Sequence, residues 1–171
     1  MKNINEQDYI DAAKLLNCEV AVIKAVDKVE SSGNGFLSTG EPKILFEGHV
    51  FWRELNKLGI NPNTHIKGNE NVLYPKWVKT YYKGGIAEHD RLNKASKINR
   101  DAALKSASWG RYQIMGNNFK VCGFPTIQSF INAMYNSEGD HLTAFVNFVK
   151  GNKLDGFLRD KNWAKFANGY N

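Results

Sequence analysis

Two glutamates, 17 positions apart (47 minus 30), bracket the segment "ESSGNGFLSTGEPKILFE". Glu30 closes an apolar run carrying Val20, Ile23, Ala25, Val26 and Val29 at helical intervals. A carboxylate at the C-terminal end of a helix faces the negative pole of the helix dipole, and apolar backing withdraws water from it. Both effects favour the neutral acid. A carboxyl kept protonated in this way can deliver a proton to a leaving oxygen. Glu47, behind Ile44-Leu45-Phe46, would then be the second carboxylate of a glycoside-cleaving pair, activating water or stabilising oxocarbenium charge. Each glutamate also has a plainer reading. Glu30 could be a solvated charge at a helix end, and Glu47 a strand-end or first-turn glutamate favoured by the dipole. Glu41, in the intervening turn, is a weaker competitor.

A third stretch, "SASWGRYQIMG" at residues 106–116, combines small residues with Trp109, Tyr112 and Gln113. Aromatic faces stack on the CH faces of sugars, and amides and hydroxyls pair with sugar hydroxyls, so this composition suits a glycan. Its plainer reading is a tight corner between helices with Trp109 filling the core. The closing "FANGYN" places Tyr170 and Asn171 behind a glycine expected to end the last helix. Other chemistries lack support. The histidines at 49, 65, 89 and 141 never take the spacing of a zinc helix, so neither metal nor cofactor is expected. Cys18 and Cys122 form no CxxC pair and read as buried small hydrophobes. No phosphate-binding glycine loop is present.

The elements that must position these residues are mostly helical. Helices are expected from Glu6 to Leu16 behind Asn5, and from a cap at Asn17 to Glu30. Phe36-Leu37 and Ile44–Phe46 read as a short hairpin turning at Gly40 and Pro42. A helix resumes from Gly48 to Leu58, and residues 60–76 are loop-like. Further helices are expected over Ala87–Lys97, Arg100–Ser106 behind Asn99, the stretch up to Gly123, two segments capped by Thr126 and Ser137, and the final "KNWAKFANGYN". The expected fold class is α+β, predominantly α-helical, with one small β-hairpin in a single domain over residues 1–171.

At 171 residues and 42% hydrophobic, the chain can bury a substantial core. The N-terminus is too polar for a signal peptide, and no stretch approaches the roughly 18 apolar residues of a membrane span. The net charge of +6 favours polyanions such as envelope polymers. Its lysines and arginines are scattered, which argues against specific nucleic-acid binding.

Together, "ESSGNGFLSTGEPKILFEGHVF", "YYKGGIAEHDRL", "AALKSASWGRYQIMG" and "NWAKFANGYN" resemble the N-acetylmuramidase domain of bacteriophage endolysins, from about Glu30 to Asn171. More distantly, the Glu-Ser at a helix end, the Gly-x-x-Gln-Ile segment and the late Tyr-Asn resemble goose-type lysozymes and lytic transglycosylases. The resemblance implies a lysozyme-like fold with a cleft flanked by the hairpin. It also implies cleavage of the β-1,4 bond between N-acetylmuramic acid and N-acetylglucosamine in peptidoglycan. It assigns Glu30 as the acid, Glu47 to a prominent acidic position, Gln113 to the glutamine of the Gly-x-x-Gln-Ile segment, and Tyr170 and Asn171 to the cleft lining; Trp109 and Tyr112, from their own aromatic faces, are expected to hold the glycan with Gln113. A monomer without a separate wall-binding domain is expected. It would be made in the host cytoplasm and reach the wall through a holin-type pore. Two alternatives stand beside hydrolysis: a lytic transglycosylase leaving a 1,6-anhydro sugar, and a non-catalytic glycan-binding module.

Overall fold

The computed structural model of the chain describes residues 3–31 and 33–170. Helix α1 (Glu6–Leu16) opens with a capping box, in which Asn5 accepts from the Asp8 amide and Asp8 reaches back to the Asn5 amide. Asn17 does not cap the next helix. It ends α1 in the left-handed conformation (φ 51°), a role its short polar side chain tolerates. Glu19 takes the N-cap of α2 (Val20–Glu30) without a side-chain bond.

The expected hairpin is reorganised. Phe36 and Pro42 form a single isolated bridge, closed by bonds from the Leu37 amide to the Glu41 carbonyl and from the Lys43 amide to the Gly35 carbonyl. Strand β1 (Ile44–Phe46) pairs instead with β2 (Ala107–Trp109), antiparallel, with Ile44 opposite Trp109. β2 in turn pairs with β3 (Ile114–Met115), so the "SWGRYQIM" segment is a hairpin and not a corner between helices. The result is a three-stranded sheet in the order β1-β2-β3.

After β1 come α3 (Gly48–Lys57), a 3₁₀ turn (Pro62–His65), α4 (Ile86–Ser96) and α5 (Arg100–Lys105). Asn99 caps α5 by accepting from the Ala102 amide. The stretch expected to be helical up to Gly123 holds only a 3₁₀ turn (Gly116–Asn118). Thr126 and Ser137 cap α6 (Ile127–Asn136) and α7 (Glu138–Gly151) as their hydroxyls allow. A short α8 (Asp155–Arg159) was too brief for periodicity to reveal. In α9 (Trp163–Tyr170) the helix continues through Gly169 instead of ending there. A Cβ on that glycine would meet Leu154 Cδ2 at 2.5 Å, so glycine there permits close packing.

One apolar cluster holds these elements together. α7 packs against α1 and α6 and buries Leu142, Phe145, Val146 and Val149 in the same cluster that holds Phe46 and Trp109 of the sheet, Phe51 of α3 and Phe130 of α6. A buried pair, Glu88 and Arg91, fastens α4 to β1. Glu88 accepts from the Phe46 amide, and Arg91 donates to the Phe46 carbonyl. Among the described residues no helix is long and apolar enough to cross a membrane.

Candidate active site

The last turn of α2 presents two carboxylates. Asp27 is only 5% exposed and saturated with donors. Arg111 grips both of its oxygens, at 2.7 and 2.8 Å, while Tyr112 and Tyr9 donate their hydroxyls at 2.6 and 2.7 Å. Burial by itself would raise the Asp27 pKa, but these bonds from Arg111, Tyr112 and Tyr9 outweigh it and hold the carboxyl below its usual range. Asp27 therefore remains ionised and structural.

Glu30, one turn later, has no such partners. Burial raises its pKa, and its side chain has no hydrogen-bond partner among the described residues. It lines a cleft of about 450 Å³ together with Tyr112, Gln113, Ile114, Met115, Asn118, Phe148 and Tyr170. It is the one carboxylate among those lining residues.

The opposite wall is the turn between β2 and β3. Gly110 (φ 70°) lies so close to the His141 ring that a Cβ would meet Nδ1 at 2.8 Å. The Arg111 amide donates to that same His141 Nδ1, whose other nitrogen donates to the Met134 carbonyl. Burial lowers the His141 pKa, consistent with a neutral ring filling both roles. Gln113 sits at φ 49°, an uncommon conformation for a side-chain-bearing residue. Its amide is clamped on both ends: Ser108 donates to Oε1 at 2.9 Å, and Nε2 donates to the Gly110 carbonyl at 2.8 Å.

Two further bonds close the loop behind Glu30. Arg111 donates to the Gly33 carbonyl at 2.7 Å, and the Gly35 amide donates to Glu138 at 2.6 Å. Arg111 thus joins the end of α2, the glycine turn and the β2–β3 turn. From α9, Tyr170 donates to the Tyr112 carbonyl at 2.9 Å and packs against Phe145 and Phe166. Burial and then the Glu30 charge raise the Tyr170 pKa, so the phenol stays a donor.

The sequence-predicted residues divide accordingly. Glu30, Tyr112, Gln113 and Tyr170 are brought together around the cleft. Trp109 is not among them. At 1% exposed, it lies in the core with its indole N–H on the Leu104 carbonyl, the core-filling alternative left open above. Tyr112 lines the cleft while its hydroxyl is committed to Asp27. Asn171 lies outside the described residues. Glu47 is on the β1 side, where it precedes α3 and does not line the cleft. Tyr82 donates to its Oε2 at 2.5 Å, and His49 Nδ1 lies 3.3 Å from the same oxygen without hydrogen-bond alignment. Burial lowers the His49 pKa and leaves a neutral ring there.

Asp27, Arg111 and Tyr82 escaped the sequence reading. Asp27 carried one usable signal: a carboxylate four residues after Ile23, on the buried face of an apolar helix. Among the described residues no group of three or more His, Cys, Asp or Glu is placed to hold a metal ion.

The N-acetylmuramidase family model matches residues 19–171. The crystal structure of an endolysin from the Burkholderia phage AP3 superposes with a TM-score of 0.92 at 39% identity. That match covers 99% of this chain and 64% of the AP3 chain, so this chain spans less than two thirds of its neighbour's length. No functionally curated protein matches.

Proposed function

Given that the chain belongs to the N-acetylmuramidase family, we propose that it is a peptidoglycan hydrolase cleaving the β-1,4 bond between N-acetylmuramic acid and N-acetylglucosamine, with Glu30 as general acid. The observation that carries this reading is Glu30 itself, a carboxyl with a raised pKa lining a cleft large enough for a glycan strand. Glu30 gives its proton to the glycosidic oxygen as the bond to the departing sugar breaks; a water then adds to the anomeric carbon and releases a proton, which restores the acid. Such a positioned proton transfer contributes roughly 10²–10⁴-fold. Gln113 and Tyr170 border the same space, their orientations set by Ser108, Gly110 and Tyr112. In this reading Glu47 is the second carboxylate, held in orientation by Tyr82 beyond the lining of the cleft, and its charge acts through space on the developing oxocarbenium ion. The net charge of +6 raises encounter with the anionic wall without setting specificity. The site of action is the cell wall, reached from the cytoplasm through a holin-type pore.

A second reading, lytic transglycosylase, is favoured by one observation: Glu30 is the sole carboxylate among the residues lining the cleft. A single acid/base glutamate suffices when the muramic acid's own hydroxyl closes a 1,6-anhydro ring. Mass spectrometry of purified peptidoglycan digested by the protein decides between them. Hydrolysis adds one water per cut and yields reducing ends, whereas transglycosylation yields anhydro products lacking that water. Recovery of anhydro products alone would replace the hydrolytic reading with the second one. Binding without any cleavage would leave only a glycan-binding module.

A further inference from the structure

Glu30 also stands at one end of a second depression, of about 290 Å³. Ala25, Val26 and Val29 of α2 form one side of it, and Trp163, Phe166 and Ala167 of α9 the other. Among the described residues, every side chain lining it apart from Glu30 is apolar. Val29 is 78% exposed and Trp163 44% exposed, a concentration of open apolar surface immediately beside a polar cleft.

α9 borders both depressions. Trp163, Phe166, Ala167 and Tyr170 follow the spacing that places residues on one helical face. Trp163 and Phe166 line the apolar groove, and Tyr170 lines the cleft. Seven residues at 1.5 Å each separate the two ends of that face by about 10 Å, roughly two pyranose rings of a 1,4-linked chain. An indole and flanking methyls offer stacking surface to the CH face of a hexosamine and contact for an acetamido methyl, and demand no polar partner.

We propose that the groove between α2 and α9 is a further glycan subsite, continuous with the cleft through Glu30, in which Trp163 stacks on an N-acetylhexosamine unit beyond the scissile bond. The proposal rests on the reading of the cleft as glycan-cleaving. Its occupant is the same strand that enters the cleft, because the two depressions share a wall residue and a bordering helix.

Binding is measured separately from cleavage by working in the Glu30→Gln background. Peptide-free muropeptide-derived tetrasaccharides and octasaccharides are titrated by calorimetry. The octasaccharide is expected to bind more tightly than the tetrasaccharide. Adding Trp163→Ala is expected to weaken the octasaccharide about tenfold and the tetrasaccharide by less than about twofold. Trp163→Phe is expected to retain most of the octasaccharide affinity, since it keeps a stacking face. Because Trp163 is substantially exposed, the fold should survive these changes. Equal octasaccharide affinity with and without Trp163 would overturn the subsite. So would a Trp163→Ala effect confined to binding of phosphatidylglycerol vesicles, or to dissociation of a dimer in sedimentation, since either would assign the groove to a different occupant. Failure of the wild-type protein to cut peptidoglycan would sink the functional reading instead, and the two failures remain distinguishable.

Discussion

Asp27 and Glu30 stand three residues apart on one helix and carry the same functional group, but their surroundings push their acidities in opposite directions. Both are partly removed from water, which raises a carboxyl pKa. At Asp27 the guanidinium of Arg111 and two tyrosine hydroxyls overcome that effect. At Glu30 burial acts alone. One carboxylate is therefore committed to holding α2 against the β2–β3 turn, and the other has its neutral form favoured beside the cleft, as the proposed general acid requires. A site of this kind needs both, because an acid poised at a cleft requires a scaffold that does not itself titrate near working pH.

Substitution tests this division directly. Glu30→Gln keeps the shape and removes the acid, so peptidoglycan turnover should fall roughly 10²–10⁴-fold while thermal stability near neutral pH is unchanged or slightly higher. Wall clearing at the wild-type rate would end the assignment. Asp27→Asn should do the reverse, costing about 3 kcal/mol in denaturant melts by stranding the buried Arg111 charge. Its activity should decline less than that of Glu30→Gln when assayed well below the melting temperature. A folded, fully stable but inactive Asp27→Asn would show that the catalytic role had been given to the wrong carboxylate.

Smaller effects sharpen the contrast. Glu47→Gln leaves an oxygen for Tyr82 but removes the charge, and should lower turnover about tenfold; a loss of only two- or threefold would make Glu47 a positioning residue. The two α2 carboxylates should also separate by pH. Asp27, held below its ordinary 3.8, adds stability at higher pH that is lost as pH falls through its folded-state value. Glu30, held above its ordinary 4.5, contributes oppositely: its share is complete below 4.5 and disappears as pH rises through its folded-state value. The alkaline limb of turnover should therefore have a midpoint above 4.5 and be absent from the residual activity of Glu30→Gln. Last, Tyr170→Phe removes a hydroxyl from the Tyr112 carbonyl and should cost about 1 kcal/mol by thermal melt.

Much of the helical body was legible because local chemistry specifies it. Asn5, Asn99, Thr126 and Ser137 all cap the helices their positions suggested, through bonds that each reach three residues along the chain. Glu30 was legible for the same reason: a helix terminus and its apolar face are local facts. The β-structure was only half legible. Ile44–Phe46 is a strand, but its partner lies some 60 residues onward at Ala107–Trp109, and nothing in the local pattern distinguishes that partner from Phe36-Leu37. Trp109 followed the same logic, since stacking platforms and core fillers share a composition and differ only in what surrounds them.

The sequence by itself determined where the helices capped by Asn5, Asn99, Thr126 and Ser137 begin, that a carboxylate would end one helix beside a glycine turn, and that motifs in this order resemble the N-acetylmuramidase family. Only the tertiary structure decided which side chains face the cleft, because that depends on pairings between residues 80 or more positions apart. Asp27 and Arg111 are separated by 84 positions, and Gly35 and Glu138 by 103. Their hydrogen bonds occupy the Asp27 carboxylate and leave that of Glu30 without such partners. The helix alone treats the two carboxylates nearly alike, and the distinction arises only when the β2–β3 turn brings a guanidinium to one and not to the other.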